Sequence, residues 1–158
     1  MPPRRLPVPI KDRVKKELDL LCKQGIIEPV IAPTPWVSAL VVMNKPNGDL
    51  RICIDPNHLN SVLKRSIYMM PTIDDVLPRL KNAKIFSTAD AKNGFNHLSL
   101  DDESASLRPT TFEIPFGCYR WRRLCFGISP APEIFQAKMH KVLEGLNGVA
   151  CIADDFLI

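Results

Sequence analysis

The sequence has no long hydrophobic run and no low-complexity segment. No stretch of its 158 residues approaches the roughly 18 consecutive apolar residues that a membrane-spanning helix needs. The N-terminal MPPRRLPVPIKDR is basic but lacks the apolar stretch of a signal peptide. We therefore expect no membrane partner and an intracellular protein. With 46% hydrophobic residues, the chain is long enough for one compact core.

The pattern of cysteines and histidines excludes two further classes. The five cysteines are odd in number and include no C-x-x-C pair, which fits reduced thiols better than a disulfide framework or a zinc site. The three histidines form no ligand motif. A metal centre built on sulfur or imidazole is therefore not expected.

The net charge of +4 is modest, but the basic residues are clustered. One cluster interleaves basic and aromatic residues in YRWRR, which contains Arg120, Arg122 and Arg123. Such a cluster fits either contacts with a nucleic acid or a structural strand with a solvated basic edge. The sequence leaves both readings open.

The first third of the chain predicts a leader, a helix and a hairpin. Residues 1–9 are rich in proline and should be extended. From about residue 11, apolar residues recur at helical spacing until Gly25, where the helix should end. The segments 37–44 and 49–55 flank Pro-Asn-Gly, which indicates a β-hairpin with Arg51 on the face opposite Leu50, Ile52 and Ile54.

The remaining segments alternate between helix and strand. We predict a capped helix from Thr72 to Leu80, a strand ending at Asp90, and further short strands in FNHLSL, TTFEIPF and CYRWRRL. PAPEIFQAKMHKVLEGLNG should form a core helix with one apolar face comprising Phe135, Met139, Val142, Leu143 and Leu146. The last segment, 149–158, predicts a hairpin. The fold class is therefore α+β, with antiparallel sheet packed on helices.

Adjacent aspartates occur three times, and their contexts differ. Asp74 and Asp75 follow Thr72 as in a capping box, and Asp101 and Asp102 lie in a polar loop sequence. The third pair, in CIADDFLI, lies between apolar residues, where carboxylates without a partner would be costly. A bound cation would remove that cost.

Asp90 ends a predicted strand, and Asp154 lies at the turn of the last predicted hairpin. Carboxylates from separate strands that meet at one point can hold two Mg²⁺ ions about 3.5 to 4 Å apart for an in-line phosphoryl displacement. Spacing alone does not establish such a meeting, because a strand-end aspartate is also an ordinary turn residue.

Five blocks, in order, resemble a known family. LRICIDPNHLN, YMMPTIDDVLPRLKNAKIFSTADAKNGF, TTFEIPFGCYRWRRL, LCFGISPAPEIFQ and IADDFLI are similar to the fingers and palm of reverse transcriptases from gypsy-type long-terminal-repeat retrotransposons. The resemblance covers nearly the whole chain. It implies a right-hand polymerase fold, with residues 10–158 forming fingers and palm that stop after the catalytic hairpin, without thumb or RNase H.

The resemblance assigns roles to individual residues. Asp90, Asp154 and Asp155 match the catalytic, metal-binding acids, with two Mg²⁺ ions expected and Mn²⁺ as the alternative. Nucleotide binding is implied for Lys45, Arg51, Ala91, Phe95, Phe126 and Gly127, with Phe95 as the steric gate that excludes a ribose 2′-hydroxyl. Contacts with nucleic acid are implied for Arg120, Arg122, Arg123 and Gln136. Ile152 departs from the family, which usually has an aromatic residue there.

The implied activity is RNA- and DNA-templated DNA synthesis. The expected partners are an RNA or DNA template with its primer, deoxynucleoside triphosphates, and the remaining Pol domains, namely thumb, RNase H and integrase. The expected location is cytoplasmic and particle-associated. We expect little activity from this segment alone. The alternative is a noncatalytic remnant of a decayed retroelement that still binds nucleic acid, and an RNA-templated RNA polymerase is disfavoured by Phe95.

Overall fold

The computed structural model describes residues 6–46, 48–64, 67–80, 83–100 and 110–158. These residues form the helices α1 (Lys11–Lys23), α2 (Pro56–Val62), α3 (Ile73–Val76) and α4 (Ala131–Val142). They also form the strands β1 (Ile27–Pro29), β2 (Leu40–Asn44), β3 (Leu50–Ile54), β4 (Thr88–Asp90), β5 (Thr111–Ile114), β6 (Gly117–Trp121), β7 (Ala150–Ile152) and β8 (Asp155–Leu157). The mixture of helices and antiparallel strands confirms the predicted α+β class.

The main sheet has the strand order β1, β6, β5, and all its pairings are antiparallel. Its largest buried side chains are Phe112 and Trp121, which are 0% and 2% exposed. Helix α1 contributes Val14, Leu18 and Leu21 to the same core, at the spacing that the sequence predicts. This apolar cluster supplies most of the burial that stabilises the chain.

The hairpin of β2 and β3 forms as predicted. Leu40 pairs with Ile54 and Asn44 with Leu50, which presents Arg51 on the exposed face. Asp55 caps α2 by accepting a hydrogen bond from the backbone N–H of Asn57 at 3.2 Å. The hairpin therefore presents Arg51 from the exposed side of a pair of strands.

The second three-stranded sheet, called the acidic sheet here, has the order β4, β8, β7. All three residues of β4 are exposed, and β8 is at most half-buried. The buried residues of this sheet are Ala150 and Cys151 in β7, which packs against α4. Most of the acidic sheet is therefore exposed or half-buried.

One local prediction is confirmed with its stated mechanism. The backbone N–H and the hydroxyl of Thr72 both donate to the Asp75 carboxylate, at 2.7 and 2.8 Å, and the two residues complete a capping box at the start of α3. The helix then tightens into a 3₁₀ turn, Leu77–Leu80, where Pro78 lies. Asp101 and Asp102 lie outside the described residues.

Three predictions about local structure differ in part from the structure. The predicted extended leader, residues 1–9, ends in a 3₁₀ turn, Val8–Ile10, since Pro9 is compatible with the first turn of a helix, and its residues 1–5 lie outside the described residues. The first half of FNHLSL is not a strand, because Asn93 takes a left-handed conformation (φ 53°) and starts the 3₁₀ turn Gly94–His97. The second half forms only an isolated antiparallel bridge, between Ser99 and Arg123. The predicted core helix ends at Val142, and its buried residues lie in its first half; Val142 and, beyond the helix, Leu146 are 62% and 57% exposed.

None of the helices in the described part of the chain has the length and apolarity required to cross a bilayer.

Candidate active site

The acidic sheet brings the three predicted catalytic acids together. Asp90, the last residue of β4, pairs directly with Asp155, the first residue of β8. Asp154 belongs to the two-residue turn between β7 and β8, and its carbonyl accepts a 2.8 Å hydrogen bond from the N–H of Ala91. A separation of 64 residues in sequence thus becomes contact between adjacent strands.

Asp90 and Asp155 carry like charges side by side. Residues directly opposite in an antiparallel pair project from the same face, where two carboxylates repel each other. Within the described residues, no group of three or more His, Cys, Asp or Glu side chains is close enough to hold a metal ion as placed. The donor set nevertheless fits a hard divalent cation, because it consists of carboxylate oxygens and would gain from neutralised repulsion.

Ile152 lies beside these acids. It pairs with Asp155 across β7 and β8, so its side chain lies on the face that carries Asp155 and Asp90. The position at which the sequence departs from the family it resembles therefore lies on the same face as the acids.

Gln136 holds the turn that carries Asp154. Its Nε2 donates to the carbonyl of Cys151 at 2.8 Å, and its Oε1 accepts from the N–H of Ala153 at 2.7 Å. The residue is 0% exposed. Since both ends of the amide are bonded within the protein, this side chain does not have the position that the predicted nucleic-acid contact requires.

Cys151 lies under the same turn. Its Sγ donates to the carbonyl of Ala153 at 3.1 Å, and the thiol is buried. Burial, followed by the nearby charges of Asp154 and Asp155, raises the pKa of this thiol to about 11. The thiol is therefore protonated at neutral pH and acts as a packing group.

Phe95, the predicted steric gate, belongs to an aromatic cluster. Its ring lies 4.8 Å from that of Phe126 and 5.3 Å from that of Phe135. A Cβ on Gly94 would lie 3.0 Å from the ring of Phe135, so the small residue allows this close packing. Phe95 is half-buried, with its orientation set by two other rings.

The hairpin β2–β3 reaches the aromatic cluster through Arg51, whose guanidinium lies 4.8 Å from the centre of the Phe126 ring. Arg51 and Phe126 line a cavity of about 40 Å³ together with Lys45, Glu17, Asn93, Asn96 and Trp121. Burial raises the pKa of Glu17, the charge of Lys45 opposes that rise, and Asp49 adds to it. Four predicted nucleotide-site positions, Lys45, Arg51, Phe95 and Phe126, thus lie in one neighbourhood.

A second cavity of about 320 Å³ adjoins the first. The two share Asn93 and Asn96, and the second is also lined by Lys92, His97 and Arg123. Arg123 donates to the hydroxyl of Ser99 at 2.7 Å. Of the three arginines predicted to contact nucleic acid, this one lies on the side of the candidate nucleotide site.

Arg120 and Arg122 are engaged by an acid that the sequence analysis did not single out. Both donate to Glu28 on the neighbouring strand β1, Arg122 at 3.0 Å. Trp121, between them, is 2% exposed and therefore cannot stack on bases. This geometry matches the reading of YRWRR as a structural strand with a basic edge. Sequence reasoning missed Glu28 because only the pairing of β1 with β6 places it opposite Arg120.

Asn60 and Gly127 form another junction that sequence reasoning missed. The Asn60 side chain donates to the carbonyl of Gly127 at 3.0 Å and accepts from the N–H of Ser129 at 2.7 Å. Gly127 has φ +105°, and a Cβ there would lie 2.6 Å from the carbonyl oxygen of Ile54. The junction fixes the segment that carries Phe126 against β3 and α2.

Comparison with known proteins assigns a class to this arrangement. The fold superposes on a foamy viral protease-reverse transcriptase in complex with double-stranded DNA, with a TM-score of 0.87, 22% identity, and coverage of 100% of this chain and 27% of that one. At this identity the likeness shows the fold alone. Residues 43–158 match the family described as reverse transcriptase (RNA-dependent DNA polymerase).

The chain belongs to the reverse transcriptase family. It is similar to the retrovirus-related Pol polyprotein from transposon opus of Drosophila melanogaster, with 32% identity over 96% of this chain and 16% of that protein. It is 35% identical to an uncharacterized protein of Caenorhabditis elegans, over 98% of this chain and 12% of that protein. The chain therefore spans less than a fifth of the length of either relative. The fold and the polymerase family expected from the sequence are confirmed.

Proposed function

We propose that this chain carries the catalytic acids and part of the nucleotide site of a DNA polymerase that copies RNA and DNA templates. The observation that carries the proposal is the pairing of Asp90 with Asp155, with Asp154 in the adjoining turn. Three hard-oxygen donors at one end of a small sheet are suited to Mg²⁺, or Mn²⁺ in its place. Membership of the reverse transcriptase family supports the same chemistry.

In the proposed reaction the primer 3′-oxygen attacks the α-phosphorus of a deoxynucleoside triphosphate. A bond forms between these atoms, the bond to the bridging oxygen breaks, pyrophosphate leaves, and the 3′-hydroxyl proton passes to solvent. Two divalent cations, when bound, neutralise charge on the attacking and leaving oxygens. Asp90 and Asp154 are the proposed ligands, and Asp155 supports them from the facing strand.

Lys45 and Arg51 are the proposed cations for the triphosphate, because both line the cavity beside Phe126. A cavity of about 40 Å³ is smaller than a nucleotide needs, since ligand pockets usually measure roughly 300 Å³ or more. We propose that the nucleotide extends into the adjoining 320 Å³ cavity, or that the hairpin moves outward on binding. Ala91, Phe95 and Gly127 complete the proposed nucleotide site, and Phe126 packs against the nascent base pair.

The remaining proposed partners are a primed RNA or DNA template and the other Pol domains. Solved structures of similar fold are complexes with double-stranded DNA and with an RNA/DNA hybrid. Arg123 is the proposed phosphate contact, since Arg120 and Arg122 would first have to leave Glu28. A cytoplasmic, particle-associated location remains part of the proposal.

The test is primer extension by the 158-residue chain and by a longer polypeptide that contains it, with Mg²⁺ or Mn²⁺. We expect Asp154→Asn to abolish extension by the longer polypeptide and to leave template binding intact. The isolated chain should show little activity. Processive synthesis by the isolated chain would contradict that second expectation.

The competing proposal, a noncatalytic remnant, predicts a different result. In that case the wild-type polypeptide makes no DNA with either metal, and Asp154→Asn changes neither binding nor any biological effect.

Phe95→Ala tests the gate separately. It should raise incorporation of ribonucleotides relative to deoxynucleotides, and an unchanged ratio would remove the gate assignment.

A further inference from the structure

We propose that Gln136 is a positioning residue that fixes the catalytic turn and thereby sets its affinity for divalent metal. This inference rests on the proposed function, because it concerns the same acids. It assigns to Gln136 an action on the protein backbone, whereas the resemblance implies contact with nucleic acid. Gln136 touches neither metal nor nucleotide and acts through the turn.

The first argument is the geometry of the two hydrogen bonds. Gln136 spans the turn from the Cys151 carbonyl, on β7, to the Ala153 N–H, one residue before Asp154. Both bonds are within 2.8 Å, and the side chain is fully buried on α4. An amide is the neutral side chain that can donate and accept at this span, because one end carries N–H groups and the other a carbonyl.

The second argument is that the turn needs support. Ala153 has φ +55°, a left-handed conformation that a residue with a Cβ adopts at a cost. Ala153 is followed at once by Asp154, and the strands on either side have only three residues each. A hairpin this short is weakly stable by itself. The bonds from Gln136, together with the Cys151 thiol bonded to the Ala153 carbonyl, hold the strained residue in place.

The third argument connects the turn with the acids. The Asp154 carbonyl accepts from Ala91, directly after Asp90, so the turn and the end of β4 share one hydrogen-bond chain. A fixed conformation of Ala153 therefore also fixes the position of Asp154 relative to Asp90. Groups that orient metal ligands without touching the metal typically change affinity or activity by about 10- to 100-fold when removed.

The experiment compares Gln136→Met with Gln136→Glu, with Lys138→Met as the control. Methionine has a similar length and makes neither bond, and Lys138 is an exposed residue of the same helix. Hydrogen exchange of the Ala153 amide in the 158-residue chain, followed by NMR, measures the turn directly. We expect exchange to become about tenfold faster or more in Gln136→Met, because one buried bond is lost, with no change in Lys138→Met.

Gln136→Glu provides a pH-dependent measurement. It would show no transition if Gln136 only filled space in the core. Protonated glutamic acid can donate to Cys151 and accept from Ala153, but the ionised form can only accept. Burial raises the pKa of a carboxyl group. The NMR signal of the Cys151 carbonyl carbon should therefore be near wild type at low pH and shift as pH rises through the raised pKa, because ionisation removes the donor to this carbonyl, whereas Gln136→Met should lack this transition.

Binding of Mn²⁺ alone tests the link between the turn and metal affinity. The binding is followed by electron paramagnetic resonance and by broadening of the Ala153 and Asp154 amide signals. The Mn²⁺ dissociation constant should rise about tenfold or more in Gln136→Met and stay unchanged in Lys138→Met. Wild-type exchange in a folded Gln136→Met would overturn the role in the turn. Faster exchange with unchanged Mn²⁺ affinity would overturn the link to metal. If the wild-type turn binds no Mn²⁺ and no primer is extended, the proposed function fails, and the link to metal fails with it.

Discussion

The main sheet and the acidic sheet have the same number of strands but opposite surroundings. Phe112 and Trp121 of the main sheet are 0% and 2% exposed, whereas every residue of β4 is exposed. Apolar burial therefore stabilises the main sheet, while backbone pairing and Gln136 hold the acidic sheet. The part of the molecule that generates stability is separate from the part that carries the acids, as expected where charged groups must remain accessible to a ligand.

The largest expected effect tests this separation directly. Phe112→Ala should lower the free energy of unfolding by about 3 to 5 kcal/mol, because it opens a cavity in the core of the main sheet. Phe156→Ala, in half-buried β8 of the acidic sheet, should cost about half as much or less. Urea denaturation of both variants measures the difference. Equal losses would show that the acidic sheet contributes as much to stability as the main sheet.

The next prediction concerns the junction beside β3. Gly127→Ala should destabilise the fold by about 3 kcal/mol, since its Cβ would lie 2.6 Å from the Ile54 carbonyl oxygen at φ +105°. Gly148→Ala is the matched control, because φ is +80° and nothing lies within 4 Å of the added Cβ. In the control, the free energy of unfolding should fall by only about 1 kcal/mol, because backbone strain is the only cost. If thermal unfolding shows similar losses of stability in both variants, the chain avoids the close contact between the added Cβ and Ile54, and the prediction is wrong.

The two sheets also differ in how well the sequence predicts them. Local patterns were sufficient for α1, the hairpin β2–β3 and the cap at Thr72, since these depend on spacing, turn residues and neighbours within a few positions. The pairing of Asp90 with Asp155 was not derivable from spacing, because 64 residues separate Asp90 from Asp154. It was anticipated only through resemblance to a family.

Other features were missed for different reasons. The positive φ of Asn93 starts a 3₁₀ turn where the first half of the strand at residues 95–100 was expected; the Asn93-Gly94 pair is a turn signal that the strand prediction overlooked. Gln136 was assigned to nucleic acid through the resemblance alone, since its bonding partners, backbone atoms of a distant hairpin, leave no pattern in the sequence. The exposure of Val142 and Leu146 shows the converse, since helical periodicity identifies an apolar face but not whether anything covers it.

A smaller effect, with the opposite sign, is expected in the turn between β7 and β8. Ala153→Gly should raise the free energy of unfolding by up to about 1 kcal/mol, because glycine adopts φ +55° without the Cβ penalty. Ala150→Gly, in the paired and buried part of β7, should instead lower it by about 1 kcal/mol. Urea denaturation of both variants checks the signs. A loss of stability in Ala153→Gly would indicate that the turn of the acidic sheet is not strained.

The smallest effect is expected at the edge of the main sheet, in the dependence of the free energy of unfolding on acidic pH. Burial raises the pKa of Glu28, but hydrogen bonds from Arg120 and Arg122, with their charges, outweigh it and lower the pKa from its ordinary value of 4.5. A lowered folded-state pKa means that this stabilisation is complete above the unfolded value and is lost as pH falls through the folded one. Because the groups are about one-third exposed, Glu28→Gln should cost less than about 1 kcal/mol at pH 7. Unfolding measured from pH 7 down to pH 3 should show the difference from wild type shrinking below pH 4.5, and a difference that stays constant would contradict the assigned ion pairs.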